Sequence, residues 1–181
     1  EEILPEGEYE IVMSNPSYNE KESKSIANNN DIETGDSALH FLLLTMEELK
    51  DKGRGAFILP NGPLFGHGKA DLVKNKLLDG FNLHTIIKLP PSIFKPRTSI
   101  DTNILFFEKG TPTKEIWFYD MPLPQRLEDE SKKKKNLSFS KGKPVLDEDF
   151  TDVLKWFDKK EENQYAWKVS VDDLKKTNDK G

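Results

Sequence analysis

Apolar residues along this chain fall into short runs separated by turn signals. Tyr9-Glu10-Ile11-Val12-Met13 is apolar-rich and stops at Ser14-Asn15-Pro16, which predicts a buried strand ending in a turn. Residues 19–35 are polar, rich in Asn, Lys and Ser, and have no period; this is a loop, long enough to suggest a function. Beyond it Leu39, Leu42, Leu43, Met46 and Leu49 recur at helical spacing, with Asp36 placed as the cap. Lys50 and Lys52 suit the C-terminal end of that helix, and Gly53 is its expected stop. Ala56-Phe57-Ile58-Leu59 is a second buried strand, closed by Pro60-Asn61-Gly62-Pro63. A helix over 69–78 follows, with Gly80 as its stop signal. Strands are predicted over 83–89, 103–108 and 115–119, and the loop 92–102 carries Lys95 and Arg97.

Short apolar strands alternating with helices predict an α/β domain. The helix between the first two strands fits a parallel crossover. The last strands succeed one another without a helix, so an antiparallel edge is expected. The pattern changes after residue 121. Residues 122–146 contain Pro122, Pro124 and the run Lys132-Lys133-Lys134-Lys135, and read as a linker or extended arm. Residues 147–181 form a charged C-terminal extension bearing Trp156, Phe157, Tyr165 and Trp167, with a helix beginning over 170–176. Trp156 and Trp167 are candidate partner-docking anchors, with core packing as the alternative.

Composition narrows the possibilities. Hydrophobic residues make up 35% of the 181 and charged ones 33%, yet eleven Phe and three Trp supply core material. A net charge of −5 argues against a surface that binds nucleic acid everywhere, so such contact must come from a local basic face or a partner. There is no Cys, and the three His lie far apart, so no metal site is expected. No apolar run has the length of a membrane span. The acidic opening Glu1-Glu2 is unlike a secretory signal, which makes a cytoplasmic location the expectation. A first residue other than Met also suggests that Glu1 is not the native start.

Chemistry concentrates in Ser14-Asn15-Pro16-Ser17-Tyr18, because ligands of open α/β sheets bind beyond the carboxyl ends of strands. An exocyclic amine on adenine is a poor nucleophile, since its lone pair is delocalised into the ring. The Asn15 side-chain oxygen and the Pro16 carbonyl offer two acceptors at a rigid spacing. Accepting both amine hydrogens draws the nitrogen toward tetrahedral geometry and frees the lone pair. Tyr18 offers a flat face for an extruded base, a stacking interaction worth about 1–3 kcal/mol. The bland alternative is a simple Asn-Pro turn. Gly68-Lys69 might suggest a phosphate loop, but Pro63 and Ala70 stand where its Gly and its Ser or Thr belong. Residues 62–69 therefore read as a loop over the active-site rim. The Lys132–Lys135 run reads as a solvated cluster, or as a phosphate contact if the arm lies over DNA.

Asn15-Pro16-Ser17-Tyr18 resembles the Asn-Pro-Pro-Tyr motif of amino-group methyltransferases, with Ser17 in place of the second Pro. Gly55-Ala56-Phe57-Ile58-Leu59-Pro60-Asn61-Gly62 with Leu64-Phe65 is similar to a segment of type I restriction–modification methyltransferase subunits. So are Ile87-Lys88-Leu89-Pro90-Pro91-Ser92-Ile93-Phe94, Thr102-Asn103-Ile104-Leu105-Phe106-Phe107 and Ala166-Trp167-Lys168-Val169-Ser170. The resemblance covers nearly the whole chain. It implies the second half of a Rossmann-like, S-adenosylmethionine-dependent methyltransferase sheet, followed by a C-terminal extension. The implied activity is methylation of adenine N6 in DNA.

The resemblance implies Asn15 and Pro16 as amine acceptors, Tyr18 as the stacking aromatic and Phe94 as a second aromatic on the base, unless Phe94 is core packing. Ser17 frees one φ angle and adds an N–H, so the turn is less preorganised than in the family. Lys95 and Arg97 are placed for DNA phosphates. The implied partners are DNA, a specificity subunit and a restriction subunit, in a hetero-oligomer. The family's Gly-rich cofactor turn precedes the catalytic strand, so the main S-adenosylmethionine motif is expected outside this chain, leaving the fragment inactive alone. Two other readings keep the same residues: a protein glutamine methyltransferase, and a non-catalytic assembly or DNA-binding remnant motivated by Ser17.

Overall fold

Asp36 starts the first helix by accepting the backbone N–H groups of Ala38 (2.9 Å) and Leu39 (3.2 Å) on Oδ1, two donors that the helix itself cannot satisfy. In this computed structural model, which describes residues 7–17, 32, 34–127 and 138–178, that helix is α1 (Ser37–Glu48) and it follows β1 (Tyr9–Ser14). Next come β2 (Leu49–Pro60), α2 (Asn61–Phe65), α3 (Lys69–Gly80), β3 (Phe81–Lys88), β4 (Thr102–Lys109) and β5 (Glu115–Asp120). A 3-10 turn, Asp147–Phe150, leads into α4 (Thr151–Lys159), β6 (Ala166–Ser170) and α5 (Val171–Asn178). Tyr18, Lys132, Lys133, Lys134, Lys135 and most of the loop 19–35 lie outside the described residues.

Gly53 does not stop a helix, contrary to expectation. Helix α1 ends at Glu48, and Leu49, fully buried, already belongs to β2. The register jumps from Tyr9↔Leu49 to Ile11↔Arg54, so the residues between bulge out of the ladder. Lys52 adopts φ +63° there, and a Cβ on Gly53 would lie 2.7 Å from the Lys50 carbonyl. Helical periodicity runs through Leu49, but its burial against β1 wins over local propensity.

The described strands form one sheet in the order β1-β2-β4-β3-β5-β6. Strands β1 and β2 are parallel, as the crossover through α1 predicts. The sheet ends on an antiparallel edge, as expected, but β6 of the C-terminal segment supplies it. The antiparallel strand β4 lies inside the sheet, paired with β2 on one side and β3 on the other. The Pro60-Asn61-Gly62-Pro63 turn is also more ordered than expected, because its second residue, Asn61, opens the short helix α2.

Strand alternation feeds two cores. Phe57, Leu59, Leu83, Leu105, Phe107 and Ile116 point toward the face covered by α1 and α3. Ile87, Tyr119, Ile104, Phe106 and Trp117 point to the opposite face, packed with Leu127, Phe139, Val153 and Trp156. Trp156 is therefore core, whereas Trp167 stacks on Phe118 at 5.6 Å and stays half-exposed. Arg126 joins the second layer to the 3-10 turn before α4 by donating to both carboxylate oxygens of Asp149, a buried side chain, and to the Pro144 carbonyl. That hydrogen-bonded guanidinium holds the Asp149 carboxyl below the usual carboxylate range.

Two substitutions test these packing arguments. Gly55 faces Phe107 across the β2–β4 ladder, and a Cβ there would come within 2.4 Å of the ring. Gly55→Ala is expected to destabilise the fold by about 1–3 kcal/mol, read from the urea midpoint. His84 is packed by the Phe106 and Phe157 rings, and its Nδ1 lies 2.8 Å from Thr85 Oγ1 and 3.1 Å from Lys160 Nζ. Burial, followed by the Lys160 charge, pushes the imidazole down to about 4. The neutral ring contributes its full stability above the unfolded value near 6.5, and loses it as pH falls toward 4. His84→Gln should flatten that part of the stability–pH curve in thermal melts.

Candidate functional site

The carboxyl ends of β1, β2, β3 and β5 share one rim of the sheet, where β4 and β6 begin. Ligands of open α/β sheets bind on such a rim. Asn15, Pro16 and Ser17 leave the rim directly from β1. Pro16 is buried, which anchors the turn, while Asn15 and Ser17 are exposed. A turn held by a buried ring with its amide outward leaves both proposed acceptors, the Asn15 side chain and the Pro16 carbonyl, on one short rigid segment.

The neighbouring strand ends carry polar residues that sequence reasoning passed over. Asn103, buried at the start of β4, donates from Nδ2 to Asn61 Oδ1 (2.7 Å) and the Leu59 carbonyl (3.4 Å). The Asn61 N–H donates to the Asp101 carbonyl at 3.0 Å, so β2 and β4 are tied together beyond their ladder. Thr102, beside Asn103, is 1% exposed, and its Oγ1 finds no hydrogen-bond partner among the described residues. Its backbone is satisfied, since its carbonyl accepts from the Leu89 N–H at 3.0 Å. The available signal was two polar residues opening the apolar run Ile104-Leu105-Phe106-Phe107, where the strand would otherwise be all hydrophobic.

Phe94, Lys95 and Arg97 sit in the turn after β3. Ser92 adopts φ +64° there, and its buried Oγ accepts the Phe139 N–H at 3.1 Å. The Lys95 N–H donates to the Ser92 carbonyl, and the N–H groups of Arg97 and Thr98 donate to the Phe94 carbonyl. Phe94 is half-buried and packs against the second core, so it serves packing whatever else it does. Lys95 and Arg97 are exposed. Nearby, Lys88 and Asp120 form a surface ion pair at 3.1 Å. The Gly-rich segment after β2 is a rim element too. The Gly68 N–H donates to Asp71 Oδ2 at 2.8 Å, so a carboxylate of the chain itself closes the N-terminus of α3.

The topology brings these residues to one face. Val12 packs into the first core, so Ile11, Met13 and, continuing the alternation, Asn15 belong to the second face. By the same alternation Thr102 shares a face with Ile104 and Phe106, which pack, as Phe94 does, against the second core. Between β1 and β3 lie β2 and β4, so Asn15 and the Phe94 turn are about 14 Å apart laterally, three strand spacings. The ends of β2 and β4, with Thr102, lie between them. Among the described residues no group of three or more His, Asp or Glu could hold a metal, and no helix is long and apolar enough to cross a membrane.

The Asn103 clamp makes a testable demand. Asn103→Ala leaves Asn61 Oδ1 without this donor and strips the Leu59 carbonyl of its side-chain donor, and is expected to cost about 1–3 kcal/mol, seen as a lower urea midpoint at unchanged slope.

A family model described as N-6 DNA Methylase matches residues 3–180. The methylase subunit of the type I restriction enzyme EcoEI from Escherichia coli is 41% identical over 174 residues, covering 91% of this chain and 34% of that protein. A solved chain from a structural study of type I restriction–modification complex assembly and conformational transition is 35% identical, with a TM-score of 0.81. The match covers 94% of this chain and 36% of that one. The crystal structure of the EcoKI M protein shares the fold at 24% identity and a TM-score of 0.70, over 92% of this chain and 41% of that one. The match spans between about a fifth and a third of the length of the curated relatives.

Proposed function

The chain belongs to the N-6 DNA methylase family, and from that membership we propose that it carries the amine-activating part of a DNA adenine-N6 methyltransferase in a type I restriction–modification system. The observation that carries the reading is the turn of Asn15 and Pro16 at the carboxyl end of β1, with Pro16 buried and Asn15 exposed. Asn15 Oδ1 and the Pro16 carbonyl accept the two hydrogens of a flipped adenine N6. They draw the nitrogen out of conjugation and hold its lone pair toward the methyl donor. This acceptor pair fits an amine about to be alkylated, a group that takes up a methyl cation equivalent and sheds a proton. S-adenosylmethionine supplies that methyl from its sulfonium when bound. The turn 15–17 is the part of the cofactor's surroundings that this chain contributes. Because Asp71 accepts the Gly68 N–H, the N-terminus of α3 is not an open anion site.

Tyr18 stacks on the extruded base, and Phe94 closes the far side of the pocket from its turn. Both roles follow the family resemblance. Lys95 and Arg97, exposed beside that turn, contact the DNA backbone. Net acidity over the chain leaves sequence reading to a specificity subunit, with a restriction subunit joining the hetero-oligomer. Segment 1–121 serves as the catalytic part, while 122–146 and 147–181, which also supply Leu127, Phe139 and Trp156 to the second core and β6 to the sheet edge, dock a partner from their exposed side. The half-exposed Trp167 is the better docking anchor, since Trp156 is core.

The test is labelled-methyl transfer to duplex DNA by the full-length protein with its specificity partner. Asn15→Ala is expected to lower the rate about 10²–10³-fold, the scale of losing one positioned polar contact to a developing charge. Unchanged modification by that variant would remove Asn15 from the chemistry and favour a non-catalytic role. Substituting Lys95 and Arg97 together by Ala should weaken DNA binding and reduce the slope of log affinity against log salt by up to about 1.8. A slope equal to wild type would show that neither residue meets a phosphate.

A further inference from the structure

The side-chain hydroxyl of Thr102 is buried at the centre of the rim, yet it has no partner among the described residues. Buried polar groups in folded proteins are nearly always hydrogen-bonded, so the open Thr102 hydroxyl lacks a partner that the described residues do not supply. The clamp beside it does not need this hydroxyl. Asn103 ties β4 to β2 through its own amide, and the Thr102 carbonyl is already used by Leu89. Position adds a second argument. Thr102 lies on the same face as Asn15 and the Phe94 turn, at the start of the strand between β2 and β3. Asn15 Oδ1 and the Pro16 carbonyl are acceptors only. They recognise an amino group but cannot tell which ring bears it. A purine ring nitrogen next to such an amine is an acceptor, and it needs a donor.

We propose that Thr102 is a specificity-determining residue, whose Oγ1–H donates to a ring nitrogen of the flipped adenine while Asn15 and Pro16 hold its amine. This rests on the adenine methyltransferase reading given above. The hydroxyl is unpaired before the base arrives and paired afterwards, so its burial favours the loaded state over the empty one. The arrangement also explains why a buried polar residue precedes Ile104 and Phe106 on this face.

Thr102→Val is the sharp variant, because it keeps the shape and removes the hydroxyl. The full-length protein with its specificity partner is assayed for methyl transfer on a duplex containing its site, beside thermal melts of each variant. We expect Thr102→Val to melt at or above the wild-type temperature and to methylate adenine about tenfold more slowly, with Thr102→Ser recovering most of the rate. Target sites carrying 1-deazaadenine or 7-deazaadenine test the contact from the base's side. Wild type should lose a similar factor on one of the two, and Thr102→Val should show no further loss on that one. A Thr102→Val protein that methylates like wild type overturns the proposal. So does one that melts several degrees lower, which would assign the hydroxyl to the fold, or a wild type indifferent to both deaza bases. If the wild-type assembly leaves ordinary adenine unmethylated, the underlying reading fails instead, and that outcome is distinct from all of these.

Discussion

Strand β4 is hydrogen-bonded along both of its edges, to β2 over 54–60 and to β3 over 81–88. It runs against both, and it alone joins the pair β1 and β2 to the pair β3 and β5 within the described sheet. The close approach of Gly55 to the Phe107 ring belongs to the same ladder, where one side chain fills the space that its partner leaves empty. Leu105 and Phe107 enter one core, and Ile104 and Phe106 the other, so β4 also connects the two hydrophobic layers. A slip of one residue in this ladder would exchange those layers and turn Asn103 away from Asn61.

The C-terminal segments are fastened to the far side of the sheet by specific polar contacts as well as by apolar burial. Arg126 meets Asp149 through two parallel hydrogen bonds, a geometry that fixes orientation. Lys160, in the left-handed conformation that ends α4, reaches back to His84 on β3. Burial lowers the lysine's affinity for its proton and keeps the imidazole neutral. This pair lies toward the amino end of β3, away from the rim that carries Asn15, so its role is to dock α4. Strand β6 then completes the edge by pairing with β5.

The rim follows from that scaffold. Parallel strands deliver Asn15, Asn61 and the Phe94 turn to one end, and the reversed strand β4 contributes its first residues to the same place. A reversed strand inside a parallel sheet therefore puts polar residues from its start among strand ends, where an all-parallel sheet would put loops. That is how Thr102 comes to lie between two segments distant in sequence. The amide clamp of Asn103 and the buried ring of Pro16 fix the surroundings of the rim, as the proposed positioning of a weak nucleophile requires.

Local signals in the sequence determined much of this protein. Asp36 before a helical repeat, the apolar run ending at Pro60 and the Gly80 stop are short-range features, and each element formed where they placed it; the run ending at Asn15 also formed a strand, but not the buried one expected, because β1 lies at the edge of the described sheet and leaves Tyr9, Ile11 and Met13 exposed. The candidate turn of Asn15 and Pro16 was legible for the same reason, since its chemistry lies in adjacent residues at a strand end. Strand order was not legible. Periodicity reports which residues are buried, but the placement of β4 between β2 and β3, and of β6 at the edge, depends on pairings between residues far apart in the chain. Gly53 shows the limit within one element, because a stop signal by local rules became a bulge once Leu49 was buried against β1. Thr102 and Asn103 show it for the site. Their residue types were plain in the sequence, but only the tertiary structure decided that one amide would be satisfied and the neighbouring hydroxyl left open, because hydrogen-bond partners are set by what folding brings alongside.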